Sequence, residues 1–441
     1  MRIQPAELQA WADHRRAVLD RLEPGQAMLL FGAHHHLRNG DAEYRYRQVS
    51  DLLYVSGWED PEVAVLLRPD GDRRFQMWVQ PKDPEREVWT GVREGTEGAV
   101  ERYGADHASP WGQLEAELGE QLLGVHTLYY AAARDPQQDA LVMRAIAGVR
   151  RKAERELFVP VPSAFVDPGR VLHELRLSKT EHELSLLREA ARITSQAHVA
   201  AMSAAKDGVF EYELEALIDY RFRTLGGNGP GYTSIVGGGA GACILHYITN
   251  REPLRAGDLV LIDAGCEYRN YTADVTRTFP VDGTFTAAQR ELYQLVLDVE
   301  VACIESVRPG LCFSSLHELA VRLLTEGMVR LGLLEGEVDQ LIEDKDYRRY
   351  YMHGTSHWLG MDVHDVGAYV GEGESRRLQP GMVFTVEPGL YVPPDDERAP
   401  ERFRGMGVRI EDDILVTQDG YEVLTAGCPK TIEDVEAACR G

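Results

Sequence analysis

Nowhere among the 441 residues do as many as about 18 uncharged apolar residues run together, the length that a membrane-spanning helix requires. The opening stretch, MRIQPAELQAWADHRR, also lacks the apolar core of a secretory signal, so a cytoplasmic protein is expected. Positive charge is short too: 47 Lys and Arg stand against 71 Asp and Glu, a formal balance of −24. Nucleic acid and anionic membrane both need a basic surface, which argues against either as a partner. Cysteine is scarce. Cys243, Cys266, Cys303, Cys312, Cys428 and Cys439 form no CxxC pair and all fall in the C-terminal part, a pattern of free thiols in a reducing compartment rather than a disulfide framework.

The chain is too long for one ordinary core. A charged helix around Pro5 to Leu22 leads into the strand-like runs AMLLFGA, VAVLLRP and RRFQMWVQP, which alternate with helical stretches to about Lys152. This alternation predicts an α/β domain. The Val- and Pro-rich link from Phe158 to Arg170 follows, and the boundary is expected near residue 175, giving domains over 1–174 and 175–441. In the second, Ser178 and Glu181 fit a capping box, and Leu184, Leu187, Ala190, Ala191 and Ala197 recur at helical spacing. A helix from about Glu211 to Leu225 ends at Gly226 and Gly227, and strands follow. Thr286 with Gln289 and Ser315 with Glu318 open two more helices before another set of strands. This order predicts an α+β domain with a repeated helix, helix and sheet arrangement.

Five residues with ligand chemistry lie in those strands: Asp263, Asp274, His357, Glu387 and Glu411. Gly257 to Tyr268 and Asn270 to Pro280 read as a hairpin turning near Tyr268 and Arg269. That register sets Asp263 opposite Asp274, with Cβ atoms about 4.5–5.5 Å apart. Two carboxylates so close repel unless a cation lies between them, and both sit among apolar residues, where an unpaired charge is costly. Glu387 is expected at the end of a strand and Glu411 inside another, and the segment Tyr351 to Gly367 carries His353, His357 and His364 among glycines. Four carboxylates and one imidazole would hold two divalent cations of hard or borderline character, Mn²⁺ first, with Co²⁺ or Zn²⁺ able to substitute. Cations about 3.5–4 Å apart share a water, lower its pKa and polarise a scissile carbonyl. Arg409, two residues before Glu411 on the same strand face, is expected to pair with Glu411 or a substrate carboxylate.

Two other motifs are set aside. His353 and His357 have the spacing of a zinc-protease helix, but Gly354 stands where the catalytic Glu is needed. The run Gly237 to Ala242 matches GxGxxA, yet no helix follows it to meet a pyrophosphate, and it is expected to be a tight loop delivering His246. His34, His35 and His36 are placed in an exposed loop.

The aspartate spacing, HGTSH, VEPG, RIEDD and the N-terminal EYRYRQVSDLLYVSGWEDPE resemble the pita-bread metallopeptidases of the aminopeptidase P family across nearly the whole chain. The resemblance implies a non-catalytic N-terminal domain, a pseudo-twofold catalytic domain, and manganese-dependent release of the first residue from peptides with proline second. It implies that Asp274 and Glu411 bridge the metals, Asp263 chelates one, and His357 and Glu387 complete the other. Glu387 would also shuttle the proton. His246 and His364 would contact the substrate carbonyl and oxyanion, with His353 on the substrate side of the wall and Tyr391 supporting the network. Trp89 would reach a neighbouring subunit's site, which implies a homo-oligomer, dimer or tetramer. The alternatives are a prolidase confined to Xaa-Pro dipeptides, a methionine aminopeptidase, a metal-independent hydrolase of the creatinase type, and a non-catalytic peptide-binding module. The full ligand set argues against the last two.

Overall fold

The first helix forms over Pro5–Leu19 in the computed structural model, which describes residues 3–371 and 373–441. The chain divides into two compact units, one ending at Arg176 and the other running from Leu177 to Gly441.

The first unit is an α/β domain around a six-stranded mixed sheet. Its strands lie in the order His107–Pro110, Phe75–Val79, Ala64–Leu67, Gln26–Phe31, Thr127–Tyr129 and Ala164–Val166. The first pair and the last two pairs are parallel, and the two central pairs are antiparallel. One face buries Leu29, Leu66, Trp78 and Leu128 against the helices Leu114–Gln121 and Pro136–Lys152. The second of these helices starts cleanly. Asp135 accepts from the backbone N–H groups of Gln137 and Gln138 at 2.8 and 3.2 Å, and Pro136 needs no partner at the first helical position. The histidine triplet at 34–36 is partly to fully exposed, with His34 Nε2 2.6 Å from Asp135.

The second unit opens with the helix Glu181–Ala204, but its cap is not Ser178 with Glu181. Thr180 and Glu183 form the capping box: the Glu183 N–H reaches Thr180 Oγ1 at 3.4 Å, and the Thr180 N–H reaches Glu183 Oε2 at 2.8 Å. Both pairs fit the same short pattern, and Ser178 is instead bridged to Met382. Leu184, Leu187, Ala190, Ala191 and Ala197 are buried along the helix. Helix Glu211–Thr224 packs beside it, and strands follow.

The order then repeats with the helices Ala287–Ser306 and Ser314–Leu331. Thr286 and Gln289 form the expected capping box. Ser315 and Glu318 do not, because the helix begins one residue earlier, and Ser375 from a later hairpin accepts the Ser314 N–H at 2.9 Å. Helices and strands of both halves share one core that includes Phe222, Phe279, Trp358, Phe384 and Phe403. Full burial of such side chains stabilises by roughly 1.5–3 kcal/mol each. The domain has the repeated helix, helix and sheet arrangement expected from the sequence, in keeping with the pita-bread fold that the resemblance implies.

Candidate metal centre

Two long hairpins meet at the middle of this unit, and each changes sheet halfway along. The first pairs Leu259–Asp263 with Thr276–Pro280 in one sheet, then Cys266–Tyr268 with Tyr271–Thr272 in another. The second pairs Val383–Val386 with Asp412–Val416, then Gly389–Val392 with Met406–Arg409. All four carboxylates stand at these handovers. Asp263 is the last residue of its strand, and Asp274, Glu387 and Glu411 fall in the gaps. Glu411 is therefore not inside a strand as expected, since strand pairing stops at Arg409 and resumes at Asp412. A Cβ on Gly265 would lie 1.7 Å from the Ala273 carbonyl oxygen, so only glycine lets the first hairpin cross there.

The hairpin register differs from expectation. Asp263 faces Thr276, not Asp274, because the turn residues are Arg269 and Asn270. Both have positive φ, 49° and 67°, as tight two-residue turns demand. The displacement is two residues, so the side chains keep their face, and the two aspartates still converge. Tyr232 marks the convergence: its hydroxyl lies 2.6 Å from Asp263 Oδ1 and also reaches Asp274 Oδ1.

Ligand atoms of Asp274, His357 and Glu411 lie within 4.8 Å of one another. His357 Nε2 stands 3.3 Å from Asp274 and 3.5 Å from Glu387. Its other nitrogen, Nδ1, faces the Trp358 carbonyl at 3.1 Å. With Nδ1 committed to that carbonyl, Nε2 is the nitrogen left facing the carboxylates, the orientation a metal-binding histidine needs. The backbone on either side is pinned as well. Thr385 Oγ1 accepts the His357 N–H at 3.1 Å, and the Thr355 carbonyl accepts the Glu387 N–H at 2.8 Å. Thr355 is itself held through its hydroxyl, which meets Tyr351 at 2.6 Å and His317 at 2.9 Å.

Arg409 is not paired with Glu411 directly. Its Nη2 lies 2.6 Å from Asp263 Oδ2, and its Nε donates to Thr276 Oγ1 at 3.0 Å. Thr276 in turn donates to Glu411 at 2.7 Å. The strand break after Arg409 turns the two side chains apart, so the two-residue spacing no longer implies contact. Its Nη1 donates to the Tyr391 hydroxyl at 3.0 Å, which stands 2.8 Å from His353 Nε2, while His353 Nδ1 faces the Gly354 carbonyl at 2.7 Å. Burial, helped by the Arg409 charge, lowers His353 to about 3, so the imidazole is a neutral link in this chain.

The unneutralised carboxylates perturb one another. Burial raises Asp274 and Glu411, and the neighbouring acidic charges add to it. Burial also raises Glu387 to about 7, against the opposing charges of His357 and Arg409. Burial works to lower His357, but the Asp274 hydrogen bond and the Glu387 charge outweigh it and bring the ring to about 9. A buried acid cluster that holds protons at neutral pH, with one imidazole aimed into it, suits divalent cations.

A cavity of about 710 Å³ opens over these groups. His246, His353, His357 and His364 line it with all four carboxylates, Arg409 and Tyr232. The His364 ring lies 4.3 Å from that of His357, and burial lowers its pKa. Tyr391 does not line the cavity and sits buried behind His353. Trp89 lies in the first unit on helix Pro84–Thr90, 87% exposed. Sequence pattern does not single out Tyr232, Thr276 or Thr385. Tyr232 carries only a weak signal there, an aromatic in a Gly- and Pro-rich turn.

Two family models match the chain: Metallopeptidase family M24 over residues 185–418 and Aminopeptidase P, N-terminal domain, over residues 11–129. An Xaa-Pro aminopeptidase of Escherichia coli is 43% identical over 431 residues, covering 97% of each chain. One from Haemophilus influenzae is 40% identical over 425 residues, covering 96% of this chain and 95% of the relative. Among solved structures, the Pseudomonas aeruginosa aminopeptidase PepP superposes with a TM-score of 0.96 at 44% identity, covering 99% of this chain and 98% of its own. A zinc-substituted Escherichia coli aminopeptidase P in complex with product gives 0.94 at 42% identity, covering 100% and 99%.

Proposed function

The chain belongs to metallopeptidase family M24, and from that premise we propose how it works as an Xaa-Pro aminopeptidase, releasing the first residue of peptides whose second residue is proline. The observation that carries the reading is the convergence of Asp274, His357 and Glu411 within 4.8 Å at the floor of a cavity that Asp263 and Glu387 also line.

Asp263, Asp274, His357, Glu387 and Glu411 would hold two divalent cations, with Asp274 and Glu411 as ligands common to both. Bound there, manganese, or cobalt or zinc in its place, supplies an activated water and a Lewis acid for the scissile carbonyl. Glu387, raised to about 7, is suited to take a proton from the attacking water and return it to the leaving proline nitrogen. His246 and His364 face the cavity from separate segments and would donate to the substrate carbonyl as charge grows on its oxygen. Arg409 fixes Asp263 directly and Glu411 through Thr276, holding both carboxylates before substrate arrives. Tyr391 supports His353 from behind.

The bond before proline has a tertiary nitrogen with no N–H, so selection must come from shape, with His353 on the wall and Trp89 supplied by another subunit. Val88, Trp89 and Val92 are each more than 80% exposed, an apolar group that a second copy would cover in a dimer or tetramer. The first unit would then be the non-catalytic domain that restricts entry to free chain ends. Among the described residues no helix is long and apolar enough to cross a membrane. The six cysteines are all free thiols, which supports a reducing, cytoplasmic setting.

The test is mass spectrometry of the Mn²⁺-loaded protein incubated with Arg-Pro-Pro-type oligopeptides and with Xaa-Pro dipeptides, using Asp274→Asn as control. Release of the first residue from the longer peptides, lost in the variant, is expected. Cleavage of dipeptides alone would make the enzyme a prolidase, and no metal-dependent cleavage would overturn the reading.

A further inference from the structure

His246 reaches the cavity from a stretch with little structure of its own. Residues 244–250 form no helix or strand, and Ile244 and Ile248 are each 56% exposed. Leu245 and Tyr247, on either side of His246, are only partly buried, against Ile235, Ala242, Leu261 and Tyr391, so the segment has no deep core of its own to fix a side chain.

Its anchors lie on the helix Glu211–Thr224. The buried Glu211 carboxylate accepts the Gly238 N–H through Oε1 at 2.8 Å. Through Oε2 it accepts the Tyr247 hydroxyl and the Glu252 N–H, each at 3.0 Å. These three donors stand before, within and after the open segment. Glu215, one helical turn further on, accepts Asn250 Nδ2 at 2.9 Å. Asn250 also donates to the Ser234 carbonyl and accepts the Val236 N–H, at 2.9 and 3.0 Å. On the other side, Gly407 lets the turn Gly239–Cys243 press onto strand Met406–Arg409, where a Cβ would lie 2.0 Å from the Ala242 carbonyl oxygen.

The three donors to Glu211 are neutral, and its carboxylate sits at the first turn of its helix, where the dipole favours negative charge. Hydrogen bonds to a buried charge are the stronger kind and cost most when mismatched.

We infer that Glu211 is a positioning residue for His246, acting through the segment that it clamps at three points. The inference rests on the reading of His246 as a contact to the substrate carbonyl. Glu211→Gln keeps the shape but turns an amide N–H₂ towards donors. Tyr247→Phe removes only the middle bond and spares the helix.

The first arm is hydrogen–deuterium exchange on the metal-loaded protein, which needs no activity. Glu211→Gln raises exchange across 238–252 by about tenfold, the loss of one charge-assisted bond, and leaves the core of helix 181–204 unchanged. Tyr247→Phe does the same to a smaller degree. The second arm is a double-mutant cycle on an Xaa-Pro tripeptide. Glu211→Gln lowers kcat/KM by about tenfold in the wild-type background and by less than about twofold in a His246→Ala background. Equal losses in both backgrounds, a harmless His246→Ala, or unchanged exchange would each overturn the inference. If the unmutated protein cleaves no Xaa-Pro peptide, the functional reading fails by itself, and the exchange arm still decides the clamp.

Discussion

The hydroxyl of Tyr232 stands 2.6 Å from Oδ1 of Asp263 and reaches Asp274 with the same oxygen. A phenol has one proton to give, so one of the two contacts needs a protonated carboxyl or a cation to relieve it. Burial and the two aspartates raise the Tyr232 pKa well above its ordinary value, so the phenol stays protonated.

Tyr232→Phe therefore affects the two metal states differently. Without metal, the variant loses a hydrogen bond between repelling carboxylates, and stability falls by about 1–2 kcal/mol. With Mn²⁺ present the cations replace that bond, and the loss shrinks. Thermal melts of both proteins with and without Mn²⁺ check this; an equal loss in both states would contradict it.

Metal binding should be coupled to proton release. Burial raises Asp274 and Glu411, and raises Glu387 to about 7, so the metal-free site retains protons at neutral pH. Cations compete with those protons. Apparent affinity rises with pH up to about pH 9, since His357, brought to about 9, must also give up its proton, and calorimetry at pH 7 in buffers of different ionisation enthalpy shows protons leaving. Affinity that does not vary with pH would contradict the assignment.

His198 gives an acid sensitivity just behind the site, against the residue after Asp263. It is wholly buried, with Nε2 3.0 Å from the Ala264 carbonyl oxygen, and burial lowers it from 6.5 to about 4. The fold holds it neutral and the unfolded chain does not. Its effect is absent above about pH 6.5, and stability is lost as pH falls from there to about 4, by up to ~3 kcal/mol. His198→Gln should flatten that part of the curve in urea titrations between pH 7.5 and pH 4; a parallel decline in both proteins would contradict it.

Arg277 carries a structural charge that Lys cannot replace. Its guanidinium is buried, lies 2.7 Å from Asp412, and donates to the carbonyls of Glu411, Cys428 and Pro429 at 2.5, 3.0 and 2.9 Å. Lys430 and Glu300 complete the cluster at 2.7 Å. One ammonium cannot span those acceptors, and each buried carbonyl left without its donor costs about 1–3 kcal/mol. Arg277→Lys should lower the urea midpoint accordingly, and an unchanged midpoint would refute the role.

Much of the site is legible in the sequence because charge is expensive where these residues sit. Asp263 and Asp274 stand out among Leu, Ile, Val and Ala, and the hairpin keeps them on one face even though the register moves by two. What sequence pattern misses is the break in each hairpin. It turns Arg409 from Glu411 to Asp263, and no periodicity marks it. Glu211 is hidden for another reason. Its partners lie 27, 36 and 41 residues further along, at the end of a strand, in an open segment and beside an isolated bridge, so it reads as an ordinary acidic residue at a helix start. The cap at Thr180 shows the limit of local patterns, since two overlapping pairs fit and only packing chooses between them.

The most direct test of the account is anomalous diffraction at the manganese edge from crystals grown with Mn²⁺. Two peaks per chain are predicted, both within ligand distance of Asp274 and Glu411, with Asp263 at one and His357 and Glu387 at the other. A single peak, or none among these five residues, would contradict the two-cation centre.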